Sequence, residues 1–236
     1  MKLHHLPLPG LTPYAHAANL QASLVSRFLA HKANPESVSA PPPTLITAQF
    51  NPVYTCGRRE IGTITKEQQD FLTKAGPHGK AEFHEALRGG QTTFHGPRQL
   101  VAYSILDLRS HGLTARNYVC LLEGTVIATL KRYGVEGIRT ENTGVWVTPD
   151  TKIASIGVHL RRNVSSHGVG LNVGLERWWW ERIVACGLPE KRPTSIREEG
   201  AADVGVEDVG IAFAEELAKG LKNIDGVERM NEETLG

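Results

Sequence analysis

Cys186 is the residue of this chain best suited to act as a nucleophile. It stands between Ala185 and Gly187, and these small neighbours leave the sulfur accessible. A cysteine attacks as the thiolate, so the site needs a group that favours loss of the thiol proton. The short helix predicted before Cys186 would end close to the sulfur, and the partial negative charge at its C-terminus disfavours a thiolate. A base must therefore come from elsewhere in the fold.

Lys152 is the candidate for that base. It opens a predicted strand and shares its parity with a row of apolar residues: Ala154, Ile156, Val158 and Leu160. If this row is buried, burial disfavours the ammonium and makes a neutral amine accessible. The alternative is a lysine at a strand end whose ammonium reaches water. Spacing alone does not decide between the two.

Two glycine-rich stretches carry further chemistry. Residues 88–97 read Arg-Gly-Gly-Gln-Thr-Thr-Phe-His-Gly-Pro, and residues 165–172 again combine hydroxyl groups, an imidazole and glycines. Glycine pairs let a ligand approach the main chain closely, and polar groups around them suit a binding rim. The alternative for each stretch is a plain connection between strands.

The other cysteines and the tryptophan run have simpler interpretations. Cys56 is predicted to be structural, and Cys120 is predicted to be a small core residue of a helix. Three sparse cysteines are typical of a reducing compartment. Trp178, Trp179 and Trp180 are predicted to cover a second core, with one facing a partner as the alternative.

Length and composition predict one α/β domain. The chain has 236 residues, of which 40% are hydrophobic and 22% charged. We expect the domain to span residues 1–222, with helices at 14–31, 65–74, 114–133 and 206–221, and a hairpin over 144–160. Residues 223–236 are expected to form a frayed polar tail. A net charge of +1 indicates no nucleic-acid partner, no apolar run suits a membrane, and no targeting peptide is visible.

Taken together, the motifs resemble lipoyl(octanoyl) transferases, over about residues 4 to 220. Matching segments occur in the family's order: 88–97, 99–103, 144–147, 152–157, 167–173, 186–188 and 194–195. The amino-acid sequence around residues 178–195 is similar to that of fungal mitochondrial members. Two positions depart from the family pattern, Arg98 where glycine is usual and Ser104 where proline is usual. Arg98 could alter how the loop rim closes.

The resemblance implies an acyl transfer in two steps. Cys186 would take octanoyl from octanoyl-acyl carrier protein as a thioester, with Lys152 as general acid and base. The lysine of a lipoyl domain, in 2-oxoacid dehydrogenase complexes or in the glycine cleavage H protein, would then receive it. This is the first step of endogenous protein lipoylation. No metal, nucleotide or other cofactor is implied, and the protein is expected to be a monomer of the mitochondrial matrix, with the cytoplasm as the alternative.

The resemblance also implies a fold and a set of binding residues. The fold is a mixed β-sheet flanked by helices, as in the catalytic domains of biotin and lipoate protein ligases. Backbone N–H groups of the glycine-rich segments are expected to hold the thioester oxygen. The residues expected to line the acyl site are Arg88, Gly89, Gly90, Gln91, Thr92, Thr93, Phe94, His95, Ser155, Ile156, Gly157, Gly168, Val169 and Gly170. As a hypothesis, the acidic carrier protein is received by Arg58, Arg59, Arg161 and Arg162.

Four alternatives remain open. An ATP-dependent lipoate or biotin ligase would use the same scaffold without a cysteine, although the chain lacks the Gly-Arg-Gly-Arg loop of biotin ligases. A cysteine hydrolase would pair Cys186 with His95 or His167. A non-catalytic acyl or lipoyl-domain binder needs neither group. A metal protein is the weakest alternative, because the ten histidines show no ligand spacing.

Overall fold

The computed structural model describes residues 1–174, 176–183, 190–200 and 204–235. Five helices are present in these ranges: α1 (Tyr14–Ala33), α2 (Lys66–Thr73), α3 (Ala115–Arg132), α4 (Arg177–Trp180) and α5 (Val206–Gly220). The strands are β1 (Leu3–Thr12), β2 (Thr44–Phe50), β3 (Val53–Cys56), β4 (Glu82–Glu85), β5 (Thr93–His95), β6 (Gln99–Ile105), β7 (Val145–Thr148), β8 (Thr151–Arg161), β9 (Val164–Asn172), β10 (Arg192–Pro193) and β11 (Val227–Arg229).

Most strands form one mixed sheet. Its order is β10-β8-β9-β6-β2-β1-β11, with β7 paired to β8. The pairs β10/β8, β2/β1 and β1/β11 are parallel, whereas β8/β9, β9/β6 and β6/β2 are antiparallel. A smaller sheet has the order β4-β3-β5. The prediction of a mixed sheet flanked by helices is confirmed.

The two faces of the large sheet are covered by different helices. Helix α1 buries Tyr14, Ala17, Leu24 and Phe28 against one face. Helices α3 and α5 pack together on the other face, where they bury a larger set of apolar residues that includes Leu122, Val126, Leu130, Val209, Phe213 and Leu217. Burial on both faces fixes the strands that carry the candidate site.

Local sequence determines where several helices begin. At α2 the Thr65 hydroxyl accepts from Gln68 N at 3.2 Å, and Thr65 N donates to the Gln68 side chain at 2.8 Å. This reciprocal pair is a capping box, and its Thr-x-x-Gln pattern is visible in the sequence at the start of the helix predicted over residues 65–74. At α3 the Thr114 hydroxyl accepts from Asn117 N at 3.2 Å. None of the helices in the described residues is long and apolar enough to cross a membrane.

A third, smaller core lies beside the three-stranded sheet. Phe94 stacks on Trp179 with ring centroids 5.0 Å apart and planes 10° apart, and Tyr54 donates to Trp179 O at 2.6 Å. Trp179 and Trp180 are buried in this cluster together with Leu72. Trp179 and Trp180 therefore belong to a core separate from the two on the large sheet, as predicted for the tryptophan run, and Trp178 is partly buried against it.

Two local predictions were wrong. Cys120 is exposed rather than in the core, because α3 turns Tyr118 and Leu122 inward and leaves the position between them at the surface. The predicted polar tail is not frayed throughout. Its residues Val227–Arg229 form β11, which pairs in parallel with Leu3–His5 at the sheet edge.

Candidate active site

A cavity of about 310 Å³ lies between the glycine loop after β4 and the strands β8 and β9. Every residue that the sequence predicts for the acyl site lines it, with the exception of Phe94, and Lys152 lines it as well. Phe94 belongs instead to the third core, because β5 alternates and turns Phe94 away from the side that Thr93 and His95 face.

Lys152 is 7% exposed and is held by the β7–β8 hairpin. Its Nζ donates to Thr143 O at 2.8 Å and lies 4.9 Å from the centroid of the Trp146 ring. Gly144 makes room for this lysine: its φ is 123°, and a Cβ there would lie 2.5 Å from Lys152 Cε. Lys152 is buried, but so is its neighbour Ile153, and the later residues of the predicted apolar row are half-buried, so the burial does not follow strand parity.

Arg88 organises the glycine loop from within. Its guanidinium is buried and donates to Thr55 O and Thr55 Oγ1, each at 2.7 Å. It also donates to the carbonyls of Gly89 and Gln91, each at 3.0 Å. Burial lowers the pKa of Arg88. Because these bonds join the loop carbonyls to Thr55, Arg88 holds the loop backbone against β3.

The far wall of the cavity is a pair of facing glycines. Gly157 on β8 lies opposite Gly168 on β9. A Cβ at Gly157 would come within 3.0 Å of Gly89 O, and one at Gly168 within 2.2 Å of Ala102 O. Gly89 N donates to Val158 O at 3.0 Å. The loop can pass this close to β8 only because Gly157 carries no side chain, whereas Gly168 allows the close approach of Ala102 on the neighbouring strand β6.

His95 is buried and neutral at neutral pH. Its Nδ1 lies 2.5 Å from Gln99 Oε1, and Gln99 Nε2 donates to Asn172 Oδ1 at 2.9 Å. Because the amide nitrogen of Gln99 is the donor to Asn172, its oxygen accepts from His95, which therefore carries its proton on Nδ1. Burial lowers the pKa of His95 to about 4. In this tautomer Nε2 carries the lone pair.

His167 is the second imidazole of the cavity. His167 has a φ of 58°, and its backbone N–H donates to Gln21 Oε1 at 2.5 Å. Burial lowers the pKa of His167 to about 3, and its Nδ1 has no hydrogen-bond partner among the described residues. Neither histidine is charged at neutral pH.

The residues predicted for the acyl site left out others that line it: Tyr103, Asn142, Thr143 and His167. Burial raises the pKa of Tyr103 well above its ordinary value. The run Asn142-Thr143-Gly144 before β7 could have indicated part of this wall. Such a run predicts a loop, and the backbone carbonyls of a loop can accept hydrogen bonds from a side chain. This loop supplies the carbonyl that binds Lys152.

Cys186 lies outside the described residues. The chain on both sides of it borders Lys152, since Trp180, Lys191, Arg192 and Pro193 line a small pocket with Lys152 and Ser155. Strand β10 pairs with Thr151 and Lys152, and Thr194 N donates to Lys152 O at 2.9 Å.

The four arginines suggested for a carrier protein do not all share one surface. Arg59 lines the cavity. His159 on β8 has a pKa lowered by burial and further by the charges of Arg58 and Arg161, so these two cations lie near one another. Arg162 instead donates to Lys32 O at 3.5 Å, on the side of α1.

The two departures from the family pattern lie away from the cavity wall. Arg98 has a φ of 64°, in the region that favours glycine, and its carbonyl accepts from Val173 N and Gly174 N. Ser104 is fully buried, and its carbonyl accepts from Ser165 Oγ at 2.7 Å. The described residues contain no cluster able to hold a metal ion.

Comparison with known proteins assigns the family. Residues 13–218 match the model described as "Lipoyl protein ligase A/B catalytic domain". A "Probable octanoyltransferase" of Schizosaccharomyces pombe is 50% identical over 192 residues, which cover 80% of this chain and 83% of the relative. The "Octanoyltransferase, mitochondrial" of Kluyveromyces lactis is 38% identical, over 93% of this chain and 70% of the relative. In Danio rerio the "Octanoyl-[acyl-carrier-protein]:protein N-octanoyltransferase", also named mitochondrial, is 38% identical, covering 83% and 82%.

Solved structures share the fold at low identity. A lipoate-protein ligase A bound with ATP superposes with a TM-score of 0.68 at 14% identity, covering 100% of this chain and 92% of that one. A bipartite lipoate protein ligase of Thermoplasma acidophilum gives 0.66 at 15% identity, covering 99% and 89%. The mitochondrial names of the relatives agree with the predicted location.

Proposed function

Because this chain belongs to the lipoyl protein ligase A/B catalytic family and to the octanoyltransferases within it, we propose that it moves octanoyl from octanoyl-acyl carrier protein to the lysine of a lipoyl domain. It is an acyltransferase that acts in the mitochondrion, and we propose the matrix as its compartment. The acceptors are lipoyl domains of 2-oxoacid dehydrogenase complexes and the glycine cleavage H protein. The protein works as a monomer and needs no cofactor.

In the first step the Cys186 thiol gives its proton to the Lys152 amine. The thiolate attacks the carbonyl carbon of the carrier thioester, a new C–S bond forms to Cys186, and the C–S bond to the carrier breaks. The leaving carrier thiolate takes the proton back from Lys152. One thioester replaces another, so the exchange is close to balanced in energy.

In the second step the acceptor lysine attacks the octanoyl-Cys186 thioester as a neutral amine. A C–N bond forms, the C–S bond to Cys186 breaks, and Lys152 carries the amine proton to the departing thiolate. An acceptor that arrives as an ammonium first releases one proton to water. Separating the two steps means that the two partner proteins need not be bound together.

The observation that carries this proposal is the position of Lys152 in the wall of the glycine-lined cavity. The amine is buried, oriented by Thr143 O, and bordered by the chain on both sides of Cys186. Burial removes water that would compete with the acceptor for the thioester.

The glycine loop supplies candidates for the oxyanion donors. The carbonyls of Gly89 and Gln91 accept from Arg88, and in a trans peptide the following N–H points the opposite way. The N–H groups of Gly90 and Thr92 are therefore turned away from the guanidinium. The N–H of Gly89 is already bonded to Val158 O and is a poorer candidate. We assign the thioester oxygen to Gly90 and Thr92.

The test is intact-mass analysis after incubation with octanoyl-acyl carrier protein in the absence of ATP. The wild type is expected to gain one octanoyl group that hydroxylamine removes, and Cys186→Ala is expected to gain none. Cys120→Ala is the matched control, because this cysteine is exposed and remote in sequence from the site, and it should be acylated normally. Transfer that requires free octanoate and ATP would overturn the proposal in favour of a ligase.

Charge reversal tests the proposed carrier surface. Arg58→Glu combined with Arg161→Glu, at two positions that do not line the acyl cavity, is expected to slow acylation by octanoyl-acyl carrier protein by at least about tenfold. The same variant should react normally with octanoyl-pantetheine, which lacks the acidic protein. Arg162→Glu serves as the comparison, since Arg162 bonds toward α1. Equal rates for all variants on the carrier substrate would exclude this surface.

A further inference from the structure

We propose that the acceptor lysine reaches the acyl-enzyme through a separate groove between α2 and α4, and that Glu60 binds its ammonium. This inference rests on the proposed function. It assigns to Glu60 the role of a positioning residue for the second step alone.

The groove is a second space of about 540 Å³ that adjoins the acyl cavity. Gln91 and Thr92 line both spaces, so the two meet at the glycine loop. The remaining walls of the groove are Glu60, Ile64, Glu67, Gln68, Phe71, Leu72, Arg182 and Ile183. A side chain lying in the groove would point its end at the loop that lines the acyl site.

The groove has the chemistry of a lysine side chain, which is an apolar stem with a cationic end. Ile64, Phe71, Leu72 and Ile183 provide apolar walls. Phe71 is 56% exposed on α2. Phe71 adjoins the other apolar walls of the groove, and contiguous apolar surface of this kind marks an interaction site.

The carboxylate of Glu60 lies where the two spaces meet. Glu60 is half-buried, and its Oε2 accepts from Thr92 Oγ1 at 2.8 Å. The acid is thereby held beside the loop that lines the acyl cavity. An ammonium at this carboxylate would bring its nitrogen to the mouth of the acyl site.

Arg182 is the cation that lines the groove. Its Nη1 donates to the carbonyls of Phe71, Leu72 and Lys74, at 3.3, 3.0 and 2.7 Å. Its guanidinium carbon lies 3.8 Å from the centroid of the Trp178 ring. These bonds hold its charge at the C-terminal end of α2, so the Glu60 end is the one that attracts an ammonium.

Donor and acceptor would then approach from two sides. Arg59 lines the acyl cavity and Glu60 lines the groove, although the two residues are neighbours in sequence. The cationic side suits an acidic carrier protein and the acidic side suits an amine. The first partner need not block the second.

The test measures the two half-reactions separately with Glu60→Gln. Transfer from isolated octanoyl-enzyme to a lipoyl domain is expected to be about tenfold slower, whereas acylation by octanoyl-acyl carrier protein stays within about twofold of wild type. Hydroxylamine, a neutral nucleophile, should deacylate the variant at the wild-type rate. Phe71→Ser is expected to raise the KM for the lipoyl domain with little effect on the first step.

Glu85→Gln is the matched control, since this glutamate accepts from Gly62 N in the same region but does not line the groove. It should leave both half-reactions unchanged. Normal transfer in both Glu60→Gln and Phe71→Ser would overturn the inference while leaving the proposed function intact. Equal slowing of both half-reactions in Glu60→Gln would also overturn the inference. Failure of the wild type to form an octanoyl-enzyme would instead overturn the proposed function.

Discussion

The side chains of Gln99 and Asn172 hydrogen-bond at 2.9 Å where β6 and β9 face each other in register. Asn172 Nδ2 also donates to Thr194 O at 2.9 Å, and Thr194 N donates to Lys152 O. A chain of polar contacts thus runs from His95 to the backbone of Lys152. Every step of it is buried, so each group depends on its partner.

Asn172→Ala is expected to lower the free energy of unfolding by about 2 to 4 kcal/mol. The change leaves Thr194 O without its donor and removes one acceptor from Gln99. Urea denaturation followed by tryptophan fluorescence measures it. Asn117→Ala, on the exposed side of α3, should change stability by less than about 0.5 kcal/mol. A similar small effect of Asn172→Ala would contradict the role given to this network.

Gly144→Ala is expected to reduce acyl transfer by at least about a hundredfold, because its Cβ would displace the side chain of Lys152. Gly134→Ala is the control. Gly134 also has a positive φ, 74°, but no atom lies within 4 Å of the added carbon. The left-handed conformation costs Gly134→Ala about 1 to 2 kcal/mol. Gly144, at a φ of 123°, lies outside that region, so its variant is strained more, and only Gly144→Ala should lose activity. Single-turnover acylation and thermal unfolding together separate the two effects.

Phe94→Ala is expected to destabilise the fold by about 3 to 5 kcal/mol, because the ring packs on Trp179 in the third core. Phe94→Leu keeps more of the volume and should remain folded. Its preference among acyl chain lengths, measured with carrier proteins loaded with different acyl groups, should equal that of the wild type. A shifted preference would mean that Phe94 reaches the acyl group after all.

Stability is expected to fall as the pH drops from about 6.5 to 4. The pKa of His5 and that of His95 are lowered by burial to about 4, so the unfolded chain binds protons in this range that the folded chain does not. The free energy of unfolding therefore has its full value above pH 6.5, the pKa of an unfolded histidine. It decreases as the pH falls toward 4, by on the order of 3 kcal/mol for each group.

Urea titrations at several pH values measure this slope. His95→Asn keeps a donor near Gln99 and removes one of the titrating groups. It should lower stability at neutral pH but flatten the loss between pH 6.5 and 4. An unchanged slope would show that His95 is not a source of the acid sensitivity.

Local signals in the sequence were sufficient for the helices and the hairpin. The capping box at Thr65 and Gln68 fixed the start of α2, and apolar spacing located α1, α3 and α5. Strand parity made Lys152 a candidate, and only the family resemblance favoured it over a lysine that reaches water. Lys152, Ile153 and Ala154 are all buried, so β8 does not alternate at its start. The mixed sheet was predicted only from the family resemblance, and the order of its strands was not predicted, because it depends on pairings between residues far apart in the chain.

The errors have physical causes. Phe94 was grouped with its loop neighbours, although alternation along β5 separates it from Thr93 and His95. Cys120 was placed inside because unpaired cysteines are usually buried, whereas Tyr118 and Leu122 carry the buried face of α3. Glu60 carried no motif at all. Its position follows from a tertiary contact with Thr92, which no local pattern encodes.

Strand β11 gives the sheet an edge that joins the two ends of the chain. Leu3 pairs with Val227, so this contact spans nearly the full sequence. Such a long closure is entropically slow, and we expect it to form late in folding. In a polypeptide emerging from a ribosome, the early part of β1 would lack its outer neighbour until Arg229 has been synthesised. During that interval the bare strand could pair with another nascent chain, and binding by a chaperone would protect it.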